Sequence, residues 1–443
     1  MSVLLTNAYV VTMDDTGTEH ERGWILVENG LVSACGAGDP PAADERVDLG
    51  GSLVTPGLVN THHHLFQTLT RARAQQADLF TWLRELYPVW RAIDAESEYA
   101  AARTGLAELA LSGCTTVFDH HYVFPGGRAG IVEAEIQAAD ELGVRIVASR
   151  GSMDLGASQG GLPPDDIVEN LDRILDQTAL LAGYHEPGPG ARAQIAVAPC
   201  SPFSVTRELM TASAELARAN GWRLHTHLAE TAEERDYCLE LYGCTPVQYL
   251  DELGWLGEDV WCAHCVHLSQ AEIGRFGATR TGVAHCPTSN MRLGAGIAPV
   301  RPLLEAGVPV GLGVDGSASN ERGDLFLEVK QALLVSRARG GPEAMTAREA
   351  LRLGTRGGAE VLARGDVGSI EPGRCADLAV WRTDGLELGG AEDPVAGLVL
   401  AGPHRVDRLY VGGEEVVRDG HLVRADEDEI AREHRVQARR FAA

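Results

Sequence analysis

The 443-residue chain has a single lysine, Lys330, so arginine carries almost all of its positive charge. Lysine and arginine together number 38 against 63 aspartates and glutamates, a formal net charge of -25. A surface this acidic repels phosphate, which argues against nucleic acid and against an anionic membrane as partners. Patterned cysteine is also missing. The nine cysteines are scattered, and Cys262 and Cys265 form a lone CxxC with His264 between them. An odd, unpatterned set points to reduced thiols and a cytoplasmic protein. The opening "MSVLLTNAYVVTMDD" has neither the basic start nor the long apolar core of a signal peptide. No window approaches twenty uninterrupted apolar residues, so no membrane-spanning helix is expected. Internal repeats and low-complexity segments are absent, as is a GxGxxG after the first strand, which argues against a doubly wound dinucleotide-binding sheet.

What the chain does have is size and alternation. With 44% hydrophobic and 23% charged residues it reads as an ordinary globular protein, long enough for one large domain and a smaller one. The first fifty residues read as short strands with turns, and a similar texture returns in "ADLAVWRTDG" and "VDRLYVGGEEVVRDG". Between these lie eight strand candidates: "GLVNTHHH", "TTVFDHH", "RIVASRG", "QIAVAPC", "WRLHTHLAE", "VWCAHCV", "TGVAHCP" and "VPVGLGVDG". Helical stretches separate them, several ending in a capping glycine. Eight alternating units imply an α/β fold, a TIM-type (β/α)8 barrel over 57–365. Segments 1–56 and 366–443 then form a small β-sandwich domain built from both chain termini, with a C-terminal helix in "DEDEIAREHRVQARRFAA".

Barrel enzymes carry their working residues where strands end at the C-terminal face. The strand ends here hold His62, His63 and His64; Asp119, His120 and His121; Arg150; Cys200; His225, His227 and Glu230; His264; His285; and Asp315. One histidine at a strand end is usually a satisfied hydrogen-bonding residue, but a polar residue on every strand of one mouth points to a metal. Alternate strand residues share a face, so His62 and His64 can share one ion while His63 points away. His225 and His227 also share a face, so spacing leaves the ligand on the fifth strand open. Asp315 can add a carboxylate from across the barrel. Imidazoles and one carboxylate with a position left for water describe a catalytic zinc or iron(II) site.

The motifs "PGLVNTHHH" (56–64), "LHTHLAE" (224–230), "AHC" (263–265), "HCPTSNMRLGAG" (285–296) and "GLGVDGSASN" (311–320) together resemble the amidohydrolase superfamily, in its aminohydrolase (deaminase) branch. The resemblance covers nearly the whole chain. It implies metal ligands His62, His64, His227 and Asp315, and catalytic acid/base roles for Glu230, His264 and Asp315. The competing reading of Glu230 is a helix N-terminal acid opening "ETAEERDYCLELYG"; that of His264 is a packing histidine. Two-metal members of the superfamily use a carboxylated lysine at the end of strand four. Strand four here ends "VAPCSPF" and Lys330 lies past strand eight, so one divalent ion is implied, zinc or else iron(II).

The resemblance further implies metal-dependent hydrolytic deamination of a small heterocycle, with 8-oxoguanine the first candidate. Isoxanthopterin, guanine and the s-triazines are the alternatives. Homo-oligomerisation follows by analogy alone. For a flat polar ring, Gln67 can donate to and accept from an edge, Arg150 can bind a carbonyl oxygen, and Cys200, Ser201 and Phe203 can line the floor. Trp82, Trp90, Tyr122 and Phe124 can cover the ring, although the tryptophans of "FTWLRELYPVW" also read as helix core.

Overall fold

The computed structural model describes residues 2–402 and 405–442. Its centre is a closed barrel of eight parallel strands. In chain order these are Leu58–Asn60, Cys114–His121, Arg145–Ser152, Ala193–Pro199, Arg223–Leu228, Val260–His264, Gly282–His285 and Val310–Leu312. Each falls on one of the eight segments expected from the sequence, with Cys114, Ser152 and Ala193 each one residue beyond it, and the closure is made where Leu312 pairs with Asn60. The α/β expectation follows from local chemistry. The helix Ala95–Leu111 opens with a capping box between Asp94 and Ser97. The helices Ile131–Leu142 and Arg207–Asn220 end at Gly143 (φ 82°) and Gly221 (φ 69°), a left-handed turn that a side chain would strain.

The remaining strands form a second, nine-stranded sheet drawn from both ends of the chain. Leu53–Pro56, just before the barrel, runs antiparallel to Leu378–Trp381, just after it. Leu5, Val10, Ile25, Val32, Val54, Leu378 and Val380 make its core. The buried Arg145 of the third barrel strand reaches across to Asp377 with two bonds of 2.8 and 3.0 Å. The C-terminal helix Glu427–Ala438 lies on Ala95–Leu111, where Gln437 donates to Glu96 at 2.8 Å.

Inside the barrel the two-residue strand period separates layers. Phe118, Val147, Ala196, Ala198, Trp261 and Ala284 share one interior cluster. The histidines stand above this apolar floor, and Phe118 and Trp261 both lie 4.7 Å from the His225 ring. No helix among the described residues is long and apolar enough to cross a membrane.

Candidate active site

The histidines at the barrel mouth are held by a defined set of donors and acceptors, and those partners fix which nitrogen is free. His225 Nδ1 sits 3.0 Å from the Trp261 carbonyl and so must donate to it. Its Nε2 is then a lone pair and accepts from His62 Nδ1 at 2.9 Å. That leaves His62 Nε2 as a lone pair with no hydrogen-bond partner. His64 Nδ1 donates to the His120 carbonyl at 2.6 Å, and His227 Nδ1 donates to the Cys200 carbonyl at 2.7 Å. Three Nε2 lone pairs therefore converge. His64 Nε2 and His227 Nε2 lie 3.1 Å apart with no proton to share between them. Asp315 Oδ1 lies 3.4 and 3.3 Å from the Nε2 atoms of His62 and His64.

Four buried acceptors facing one point repel unless a cation lies among them, so the donor set fits a divalent metal. All the histidines of this cluster are buried. Burial holds His64 well below the usual imidazole pKa and takes His227 down to about 3. Asp315 is pulled the other way. Burial raises its pKa, but His62, with His264 and His64, more than offsets this and keeps it ionised. His225, left open by spacing, serves as the orienting partner of His62. His63 lies outside the convergent group, and both its ring nitrogens are unpartnered. The sequence named His120 without a role. Its Nε2 donates to Ala198 at 2.8 Å, and its ring stacks on His227 at 4.9 Å within the same cluster.

Glu230 and His264 stand beside this cluster, with His264 Nε2 3.5 Å from Glu230 Oε2 and 3.9 Å from Asp315 Oδ2. Asn290 Nδ2 donates to His264 Nδ1 at 3.0 Å, so the neutral ring points an N–H at the site. Burial keeps this imidazole uncharged by lowering its pKa well below the usual value. Glu230 is not the N-cap of the following helix; Thr231 is. The Glu234 carboxylate instead accepts from the backbone N–H groups of Ala229 and Glu230 at 2.8 and 2.9 Å and pins the turn. Burial, with Asp315 and Glu234 nearby, pushes the Glu230 carboxyl well above the usual range. His264 (φ 72°) and Asp315 (φ 63°) both adopt the left-handed region that L-residues avoid, as strained site residues do. Ser289 donates to Asp315 Oδ2 at 2.6 Å, and Gly316 N–H to Oδ1 at 2.7 Å.

One pocket joins His64, His227, Glu230, His264 and Asp315 to Gln67, Trp82, Tyr87, Tyr122, Cys200 and Phe203, with Leu79, Leu83, Leu293 and Ser319 completing its wall. Gln67 Nε2 lies 3.4 Å from the Tyr122 hydroxyl, and its Oε1 is unpartnered. Gly316 permits this, because a Cβ there would lie 2.0 Å from Gln67 Oε1. Cys200 is in the wall as a neutral thiol, its pKa raised to about 12 by burial. A wider cleft opens between Trp222, Arg223, Arg218, Arg280, Glu258 and Asp259, away from the histidines. Its Arg218 and Arg280 are paired with Asp259 and Glu258, and it offers no comparable chemistry.

Arg150 is the residue the structure does not bring to the pocket. Its guanidinium is bound by Glu169 and Gln177 at 2.8 Å and lies over the Phe124 ring. Trp90 is likewise core, packed on Phe66 and donating to Thr70 at 3.1 Å, and Phe124 and Ser201 are not in the wall. Reading strand ends alone missed Tyr87, Asn290, Ser289 and Glu234. Of these, Ser289 and Asn290 lie inside "HCPTSNMRLGAG" on the short helix Pro287–Arg292, where two polar residues just past a strand end were the available signal.

Comparison with known proteins agrees with this geometry. Residues 53–416 match the amidohydrolase family. The chain is 49% identical over 422 residues to 8-oxoguanine deaminase of Pseudomonas aeruginosa, covering 94% of each protein. It is 38% identical to an isoxanthopterin deaminase from an unknown prokaryotic organism, covering 98% of this chain and 96% of that one. Among solved structures, atrazine chlorohydrolase of Arthrobacter aurescens complexed with zinc superposes with a TM-score of 0.94 at 36% identity, covering 98% of this chain and 100% of that one. The chain belongs to the amidohydrolase family and is an enzyme of its aminohydrolase branch.

Proposed function

We propose that this protein is a zinc-dependent hydrolytic deaminase that converts 8-oxoguanine and water to urate and ammonia. The observation that carries the reading is the convergence of three imidazole lone pairs and Asp315 beside Glu230, whose pKa burial raises, and a neutral His264. The 49% identity to an 8-oxoguanine deaminase supports the choice of substrate. His62, His64, His227 and Asp315 would hold the ion. A divalent ion in such a set lowers the pKa of a water towards neutrality and so makes hydroxide available.

The rest is the work of this chain's own residues. Asp315, ionised, accepts the proton of the water that adds to the amino-bearing ring carbon. Glu230 gives its proton to the adjacent ring nitrogen, which makes that carbon electrophilic. The His264 N–H donates to the oxygen that has added. The C–O bond forms, the C–N bond breaks, the amino group leaves as ammonia with the proton Asp315 took up, and the hydroxyl proton of the adduct returns to Glu230 as the carbonyl forms. Proton transfers of this kind contribute about 10²–10⁴-fold each. Gln67 and the unpartnered Tyr87 hydroxyl would bind the ring edge, with Trp82 and Tyr122 against its faces and Cys200 in the wall. Nine unpaired thiols support a cytoplasmic location.

The test is ammonia release by zinc-loaded protein against 8-oxoguanine, guanine, isoxanthopterin and cytosine, with chloride release from a chloro-triazine in parallel. Fast turnover of 8-oxoguanine is expected. Ammonia from isoxanthopterin alone would keep the chemistry and move the substrate. Chloride without ammonia would overturn deamination.

A further inference from the structure

The second barrel strand carries polar residues on both faces. His120 points into the mouth, so the strand period turns Asp119 and His121 outward. Outward-facing barrel residues ordinarily pack apolar against the surrounding helices. Here they meet Glu98 of the helix Ala95–Leu111 and Glu135 of Ile131–Leu142. All four side chains are fully buried.

Hydrogen bonding at this cluster is incomplete in one consistent way. His121 Nε2 donates to the Val123 carbonyl at 2.8 Å, which makes Nδ1 of the neutral ring a lone pair. That lone pair faces Glu98 Oε2 at 3.4 Å and Glu135 Oε1 at 3.2 Å. Nδ1, both oxygens of Glu98, both oxygens of Glu135 and Oδ2 of Asp119 have no hydrogen-bond partner. Phe66 and Phe124 lie against the His121 ring at 4.9 and 5.0 Å and keep water away from it. Among the described residues no arginine is ion-paired with Glu98, Asp119 or Glu135. Three carboxyl groups and the His121 ring, whose pKa Glu98 raises against burial, thus share one buried volume with no arginine or lysine paired to them among the described residues.

We propose that Glu98, His121 and Glu135 form a second metal site, separate from the catalytic one, that takes a divalent first-row ion such as zinc or manganese. One imidazole with two carboxylates suits those ions better than magnesium or calcium, which take oxygen donors alone. The spacing suits them as well. Donors about 2.1 Å from a tetrahedral ion lie about 3.4 Å from one another. Asp119 stands beside the site and couples it to the mouth. Its Oδ1 accepts from the Leu65 N–H at 2.7 Å, next to His64. The ion would pin both helices to the strand that carries His120, and so hold the backbone beneath the catalytic histidines.

The test is a metal count on the full chain, loaded with zinc, desalted and then measured by elemental analysis, with anomalous scattering at the zinc edge from a crystal. Two zinc per chain are expected, the second peak among His121 Nδ1, Glu98 and Glu135. Glu135→Gln should fall to one per chain and keep the peak at the mouth. One zinc per chain in the unaltered protein would put protons rather than an ion between these carboxylates and overturn the proposal. Two zinc in a folded Glu135→Gln variant would overturn it too. If that variant does not fold, the count and the scattering from the unaltered chain still decide.

Discussion

Ser289 Oγ donates to Asp315 Oδ2 at 2.6 Å and ties the short helix after the seventh barrel strand to the carboxylate after the eighth. The bond supports the ionised form of Asp315 and aims it. A hydrogen bond to a charged group contributes about 1.5–3 kcal/mol, so Ser289→Ala should lower kcat roughly ten- to hundred-fold. The acid limb of the pH–rate profile should move to higher pH, because Asp315 loses a donor to its ionised state. A variant with unchanged kcat and an unmoved acid limb would remove Ser289 from the site.

The histidine triplet makes a sharper test. His62 and His64 each contribute a free Nε2 to the convergent cluster, and His63 does not. His62→Ala and His64→Ala should each lose metal and activity together. His63→Ala should keep most of its metal, measured as zinc per chain on purified protein. Equal loss in all three would contradict the alternation of side chains along the first strand.

Much of this arrangement was legible in the sequence because strand order, strand ends and the two-residue period are local properties. The same period explains the failures. His225 and His227 both face inward, and which of them meets an ion depends on depth in the barrel: His225 lies low enough to reach Trp261 and the back of His62. Arg150 sits at a strand end but out of phase with the interior residue Val147, so it points to Glu169 on the outer side. Tyr87 and Asn290 come from helices beyond the strand ends, and their approach to the mouth is a matter of tertiary packing. The nine-stranded sheet was readable at each terminus as strands, while the pairing of Leu53–Pro56 with Leu378–Trp381 depends on the closure of the barrel between them.

Glu230 should impose the basic limb of the rate profile. Burial, then Asp315 and Glu234, raise its pKa, which favours the protonated form it must donate from. Activity should therefore be flat below that raised pKa and fall as pH rises through it. Glu230→Gln should lower kcat by about 10²–10⁴-fold and abolish this limb while leaving metal content unchanged. A persistent basic limb in the glutamine variant would assign it to another group.

Tyr87 should contribute to recognition and not to metal binding. Its hydroxyl is buried in the pocket wall with no hydrogen-bond partner among the described residues. A neutral hydrogen bond contributes about 0.5–1.5 kcal/mol, so Tyr87→Phe should lower kcat/KM for 8-oxoguanine roughly two- to ten-fold. The change should fall mainly on KM, with zinc content intact. Loss of zinc in this variant would mean that the ring supports the cluster through packing.

The join between the barrel and the terminal sheet should be a strong point of the fold. Arg145 and Asp377 are both buried, and Asp377 also accepts from the Gly412 N–H at 2.7 Å. Arg145 donates further to the carbonyls of Gly190 and Ala191 at 2.6 and 3.2 Å. Removing one member of a buried pair leaves the other charged and unpaired, at a cost of about 3–5 kcal/mol. Asp377→Ala should therefore lower the unfolding midpoint by far more than Arg382→Ala, whose pair with Asp384 is exposed. The same measurement separates two ways the sheet can serve the enzyme. If the Asp377 variant keeps full activity at low temperature, the join acts on stability alone. If kcat falls where the protein is still folded, the third barrel strand transmits its position to the mouth.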